Sequence, residues 1–323
     1  MRILKDILNK VDSISIHGDL KIEASSIQFD SRKIEIGSLF VAQKGLKFDG
    51  HRFIEKAILS GAKSIICEEL PESLKDGITY IKVSDSNKAL AILASNFDDN
   101  PSSKLKLVGV TGTNGKTTIA TLLYELVKNL AYKTGLLSTV KVLVGTKEYS
   151  ATHTTPDSLQ INKYLNEMVN EGVEYCFMEV SSHGIHQKRT EGLEFVGGVF
   201  TNLTHDHLDY HNSFKEYRDV KKVFFDSLPK NAFALVNLDD KNGEFMLQNS
   251  KAKKYTYALK TIANYKAKIL ENQFSGLLLN VDGNEVWTKL IGSFNASNLL
   301  SVFGVSQILG MYKTASLIVI SKL

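Results

Sequence analysis

The sequence predicts an α/β protein of two domains, the second built on a mostly parallel sheet that carries a phosphate-binding loop. Three observations predict it. From about residue 105 onward, strand-like and helix-like segments alternate, the pattern of βαβ units. "VGVTGTNGKTTIATLLYELV" (108–127) sets glycines between an apolar strand pattern and a helical one. "DDNPSSK" (98–104) is polar, holds one of only four prolines, and reads as a linker after residues 1–97. A chain of 323 residues fits that division at ~100–200 residues per domain.

Residues 1–97 mix short strands and helices. The opening "MRILKDILNKVDSI" has the charge and Ile/Leu alternation of an amphipathic helix and lacks the apolar core of a signal peptide. "SLFVAQ" and "KSIICE" have strand character, and "GHRFIEKAILSGA" between them is helical up to Gly61. The second part begins with the strand "LKLVGVT", followed by a helix from Lys116 to about Ala131. Then come "KTGLLST", a helix around 157–170, "EYCFMEV", "FVGGVFTNL", a helix around 213–228 and "AFALVNLDD". Residues 265–290 have the pattern of small antiparallel strands.

Composition narrows the function classes. A hydrophobic fraction of 43% and a charged fraction of 23% suit an ordinary globular chain with sizeable cores. The net charge is +4 and the basic residues are scattered, so a nucleic-acid partner is not expected. No run approaches the ~18 apolar residues of a membrane span, so no membrane partner is expected. Cys67 and Cys176 sit in apolar strand-like runs without metal-ligand spacing, which predicts buried reduced thiols and a cytoplasmic setting.

The glycine-rich loop departs from the pattern G-x-x-x-x-G-K-[ST]. Val110 stands where that pattern has its first glycine, and Gly112 supplies the turn instead. Its position between strand and helix N-terminus is the one an anion cradle requires. The backbone of Gly112, Thr113, Asn114 and Gly115 would wrap phosphates, Lys116 would reach the outer ones, and Thr117 or Thr118 would hold Mg²⁺. Glu179 ends the strand "YCFME", at the carboxyl edge where open α/β sheets bind ligands.

"GVTGTNGKTT" resembles the ATP loop of the Mur ligases and of their relative folylpolyglutamate synthetase. The resemblance extends along nearly the whole chain. Residues 29–62 are similar to a uridine-nucleotide-binding domain of that family, and "HTTPDS", "EVSSHGIHQKR", "TNLTHDHLDYH" and "FNASNLL" follow in the family's order. It implies a uridine-nucleotide-binding α/β domain (1–97) and an ATP-binding central domain (98–310). Residues 311–323 would be the approach to a third domain, expected to be missing here, which would leave a nucleotide-binding fragment without turnover.

The implied activity is that of an ATP-dependent ligase. A carboxylate and ATP form an acyl phosphate, and a free amino acid displaces the phosphate. The expected substrate is UDP-N-acetylmuramoyl-L-alanyl-D-glutamate, to which a third amino acid is added in peptidoglycan synthesis; a folylpolyglutamate synthetase-like ligase is the alternative. Residues 1–97 argue against the latter, which lacks a leading uridine-binding domain. A monomer is expected.

Site roles follow from the same resemblance. Glu179 and His207 would ligate a second Mg²⁺, and Lys221, fourteen residues after His207, would carry CO₂ as a carbamate and so become a carboxylate-like ligand. The alanine usual before that lysine is Val220 here, a departure that leaves Lys222 as the other candidate. Ser31, beside Phe29 and Asp30, would meet the uridine end; Thr154, Thr155, Ser181 and Arg189 would face the substrate's carboxylates and diphosphate. Arginine suits such anions through its bidentate fork. Asn295 and Asn298 would lie near adenine. "HDHLDYH" (205–211) also invites comparison with a dinuclear zinc hydrolase, but that pattern needs histidine after Asp209, where Tyr210 stands.

Overall fold

The computed structural model describes residues 1–45, 48–204, 210 and 213–323. Within them the chain forms two compact units. The first comprises Met1–Pro101 together with Asp157–Asn166 and Gln187–Leu193; the second comprises Ser102–Pro156, Glu167–His186 and Glu194–Leu323.

The first unit holds a five-stranded sheet in the order Ser13–His17, Thr79–Val83, Ser64–Cys67, Leu39–Val41, Ile27–Gln28. Only the edge strand Ser13–His17 runs antiparallel to its neighbour. Alternation along the strands sends side chains to two cores. Leu39, Val41, Ile66 and Ile81 pack with Leu90 and Leu93 of the helix Ser86–Phe97. Phe40, Ile65, Cys67 and Tyr80 pack with Ile54 and Ala57 of the helix Ile54–Leu59. At the amino terminus the expected long helix is a single turn, Leu4–Ile7, and Ser13–His17 is extended. β-branched Ile14 and Ile16, alternating with Ser13 and Ser15, favour that strand.

"DDNPSSK" is an ordered turn. Asp99 and Asn100 both take left-handed φ (61° and 50°), and the Asn100 amide donates to Ser95 O at 2.7 Å. These residues close the end of the helix Ser86–Phe97, and Asp and Asn tolerate the left-handed region better than most.

The second unit is built on an eleven-stranded sheet. Its parallel part runs Thr134–Leu137, Tyr175–Glu179, Lys106–Thr111, Phe195–Phe200, Phe233–Asn237, Lys253–Ala258, Tyr265–Gln273. An antiparallel hairpin (Lys141–Val144, Lys147–Ser150) extends one edge; Gly276–Val281 and Asn284–Thr288 extend the other. The chain leaves Lys106–Thr111 on one side, fills four positions there (two parallel strands and the hairpin), and returns to place Phe195–Phe200 on the other. That reversal makes Lys106–Thr111 the topological switch point.

The predicted face of the loop helix (Lys116–Asn129) is buried: Ile119, Leu122, Leu123 and Leu126 pack with Val108, Val110 and the helix Ser293–Ile308. Gly109 faces the other way, beneath Phe224 of the helix Phe214–Ser227. Cys67 and Cys176 are unpaired and buried, and burial pushes both thiols up, Cys67 to about 11. Among the described residues no helix is long and apolar enough to cross a membrane.

A Cβ on Gly109 would lie 2.6 Å from Phe224 Cζ and 3.0 Å from Phe195 Cε1 and Val180 Cγ2. Gly109→Ala is therefore expected to destabilise the second unit by about 1–3 kcal/mol through overpacking. A lowered urea midpoint with unchanged slope would show it; an unaltered midpoint would refute the close packing described here.

Candidate functional site

Four strand ends and three helices converge at the switch point. Gly112 leaves the strand Lys106–Thr111 with φ 143°, and a Cβ there would collide with the Thr201 hydroxyl. Gly115 has φ 87° and caps the loop helix; its Cβ would lie 2.8 Å from Asn298 Oδ1. Only glycine fits both places. The loop is pinned to the end of the next strand: Thr113 N donates to Asn202 O (2.8 Å), Asn114 N to Asn202 Oδ1 (3.0 Å), and Thr201 Oγ1 to Asn114 O (2.7 Å). Thr113 Oγ1 also lies 3.1 Å from the Tyr217 hydroxyl.

Lys116 folds along the loop and donates to Gly112 O (3.0 Å) and Thr113 O (2.7 Å). Lys221, 1% exposed, reaches the same Gly112 O at 2.8 Å from the helix Phe214–Ser227. Its neighbour Lys222 pairs instead with Asp226 at 2.5 Å. Of the two adjacent lysines, Lys221 is the one at the loop.

Glu179 is fully buried at the end of its strand, in register with Val110. Its Oε2 accepts from Thr117 Oγ1 (3.0 Å) and Thr139 Oγ1 (3.2 Å), and its Oε1 accepts from Thr139 N (2.7 Å). Thr117 and Thr118 thus diverge. Thr117 turns toward Glu179, while Thr118 lines a cleft of about 910 Å³. Asn114, Gly115, Tyr257, Phe294 and Asn298 line that cleft too, and Lys260 and Lys268 stand on its wall. Asn295 does not line it; its amide donates to Ile291 O and its Oδ1 accepts from Asn298 Nδ2, so it orients Asn298.

The residues expected to face substrate divide between the units. In the second, Thr154 Oγ1 lies 3.2 Å from Thr139 Oγ1. Thr155 is buried, donating to Glu179 O and accepting from Ser181 N, and Ser181 Oγ accepts from Gly184 N. These bonds brace the turn after Glu179. In the first unit, buried Ser31 opens a short helical turn and Arg189 donates to Gln187 Oε1. Beside Ser31, Phe29 and Asp30 line a pocket of about 300 Å³ with Lys33 and Lys163. The Arg32 guanidinium holds the Asp30 carboxyl down to about 2, so it is ionised at neutral pH. His207, with Asp206, Asp209, His205 and His211, lies outside the described residues.

Sequence reasoning missed Thr139, Asn202 and Tyr217. The first two follow strands flanking Lys106–Thr111 or its neighbour, and a rule about carboxyl ends at a switch point could have found them. Tyr217 carried no signal beyond its place one turn before Lys221.

The Mur ligase middle domain matches residues 110–306, and the Mur ligase family catalytic domain matches residues 23–98. The chain belongs to the Mur ligase family. It is 53% identical over 320 residues to the UDP-N-acetylmuramoyl-L-alanyl-D-glutamate–2,6-diaminopimelate ligase of Cytophaga hutchinsonii, covering 98% of this chain and 66% of that one. The ligase of the same name from Bacteroides fragilis is 51% identical, with 99% and 66% covered. A solved structure of a ligase of that name superposes with a TM-score of 0.84 at 27% identity, over 96% of this chain and 65% of the other. The chain thus spans just under two thirds of the relatives it matches.

Lys116, expected from the loop sequence to reach phosphate, lies along the loop on Gly112 O and Thr113 O. Lys116→Ala is expected to weaken Mg²⁺-ATP binding by roughly 2–5 kcal/mol, the scale for removing one partner of a buried charge pair. Calorimetric titration of both proteins measures it, and equal affinities would remove Lys116 from the site.

Proposed function

We propose that the protein is an ATP-dependent, ADP-forming ligase that adds the third amino acid to UDP-N-acetylmuramoyl-L-alanyl-D-glutamate in peptidoglycan synthesis. The relatives' names point to diaminopimelate as that amino acid. One observation carries the reading: the phosphate loop, the Thr117–Glu179 pair and Lys221 meet at one switch point. A phosphate loop alone serves many reactions. A buried carboxylate bonded to the loop threonine, with a buried lysine on the loop's own carbonyl, suits phosphoryl transfer to a carboxylate.

The donor set fits Mg²⁺, since Glu179 and Thr117 offer a carboxylate and a hydroxyl to a hard cation that prefers oxygen. They would hold it between them, and a second Mg²⁺ would rest on Glu179 with His207 and with Lys221 as a carbamate. Bound there, Mg²⁺ would offset negative charge on the transferred phosphoryl group. The loop amides and Lys116 bind and orient the phosphates, while the cleft beside Asn298 and Phe294 takes the base. Thr154, Ser181 and Arg189 are assigned to the dipeptide's anionic groups, and Ser31 to the uridine end. The substrate carboxylate oxygen attacks the γ-phosphorus and ADP departs. The amine of the amino acid then attacks the acyl carbon, and phosphate leaves. ATP as co-substrate and two buried unpaired thiols support a cytoplasmic setting.

Lys221 would gain its carbamate when the neutral amine adds to CO₂, forming an N–C bond and releasing a proton. Carbon-13 NMR with labelled bicarbonate and Mg²⁺ is expected to show a carbamate resonance that disappears in Lys221→Ala. Its survival in that variant would move the modification to Lys222 or another lysine.

UDP-N-acetylmuramoyl-dipeptide is expected to raise the melting temperature, because a ligand of the native state stabilises it by mass action. Stabilisation by dihydrofolate in its place would favour a folylpolyglutamate synthetase-like activity. Mass spectrometry with ATP, the UDP-dipeptide and diaminopimelate, lysine or ornithine tests whether this chain turns over and, where product forms, identifies the amino acid added.

A further inference from the structure

We propose that Thr139 is a positioning residue that fixes the Glu179 carboxylate and couples it to Thr154, so that cation and UDP-linked substrate bind cooperatively; this rests on the ligase reading above. Thr139 follows the strand Thr134–Leu137, whose Leu137 pairs with Met178, and so leaves the sheet directly beside Glu179. Its amide donates to Glu179 Oε1 at 2.7 Å. Its hydroxyl oxygen lies 3.2 Å from Glu179 Oε2 and 3.2 Å from Thr154 Oγ1.

A threonine hydroxyl has one proton, and therefore serves one of these acceptors at a time. Thr117 Oγ1 already donates to the same Glu179 Oε2 at 3.0 Å. A cation held by Glu179 and Thr117 occupies the lone pairs of Oε2. The Thr139 proton then turns to Thr154, and the Thr154 proton is directed outward to an anionic group of the substrate. Through all this the Thr139 amide keeps its bond to Oε1 and holds the carboxylate in one orientation. The coupling is reciprocal, as linkage requires.

Thr139→Val keeps the amide and the side-chain shape but removes the proton; Thr139→Ser restores it. In the unaltered protein and in Thr139→Ser, Mg²⁺ with a non-hydrolysable ATP analogue is expected to tighten UDP-N-acetylmuramoyl-dipeptide binding at least about fivefold by calorimetry. In Thr139→Val the change is expected to fall below about twofold, with affinity for Mg²⁺-free nucleotide unaltered. Equal coupling in Thr139→Val and the unaltered protein overturns the proposal, as does absence of coupling in the unaltered protein. Loss of Mg²⁺-free nucleotide binding in Thr139→Val overturns it too, because a damaged fold would then explain the effect. If the unaltered protein binds neither ligand, the ligase reading itself fails, and the proposal with it.

Discussion

Two lysines from helices on opposite faces of the central sheet converge on one carbonyl oxygen. Lys116 and Lys221 donate to Gly112 O at 3.0 and 2.8 Å, which puts their ammonium groups within about 6 Å of each other. At an effective dielectric of 20 that separation corresponds to roughly 3 kcal/mol of repulsion between unit charges. Negative charge held at the loop would offset that repulsion. The geometry depends on Gly112: it turns the chain at φ 143°, and its missing Cβ admits Thr201. A carbamate on Lys221 would reverse the sign of one partner and leave Lys116 as the cation of the loop.

Glu179 presents the complementary problem. A buried carboxylate is costly unless its oxygens are hydrogen-bonded. Here the strand end next to it supplies an amide and a hydroxyl from Thr139, and the loop helix supplies Thr117. One donor residue lies just past one of the two strands flanking Tyr175–Glu179, and the other lies in the helix that follows the second. Sheet register therefore sets the carboxylate, since a slip of one residue would turn Glu179 to the other face. The packing of Phe224 over Gly109 and Gly198 keeps the helix of Lys221 close to the same sheet.

Much of this was legible where the signal is local. The strand–loop–helix around Lys116, the buried face of that helix and the strand ending at Glu179 all follow from patterns within a window of twenty residues. Lys221 was reached by counting from a motif, and the structure separates it from Lys222 through Gly112 O, a contact 109 residues away. Less local features were not legible. The hairpin Lys141–Ser150 turns at Gly145, but its short alternation was overshadowed by the loop around it. "DDNPSSK" had the composition of a linker, yet its left-handed residues finish a helix, since polarity alone does not distinguish a cap from a tether. Nothing in sequence patterns joins Ser95 to Gly192, whose hydrogen bond crosses 97 residues of chain.

That last contact bears on how the protein is made. The first unit is assembled from three pieces, the last ending at Leu193. Its sheet emerges from the ribosome first, but its final contacts wait for about ninety further residues. At roughly 5–20 residues per second, translation imposes a delay on the order of 5–20 s. During that interval the nascent sheet lacks Leu159, which packs on its core, and Gly192, which caps Ser95. Biosynthesis thus orders the two units oddly: the amino-terminal one begins first, but cannot be completed until much of the phosphate-loop unit has been synthesised.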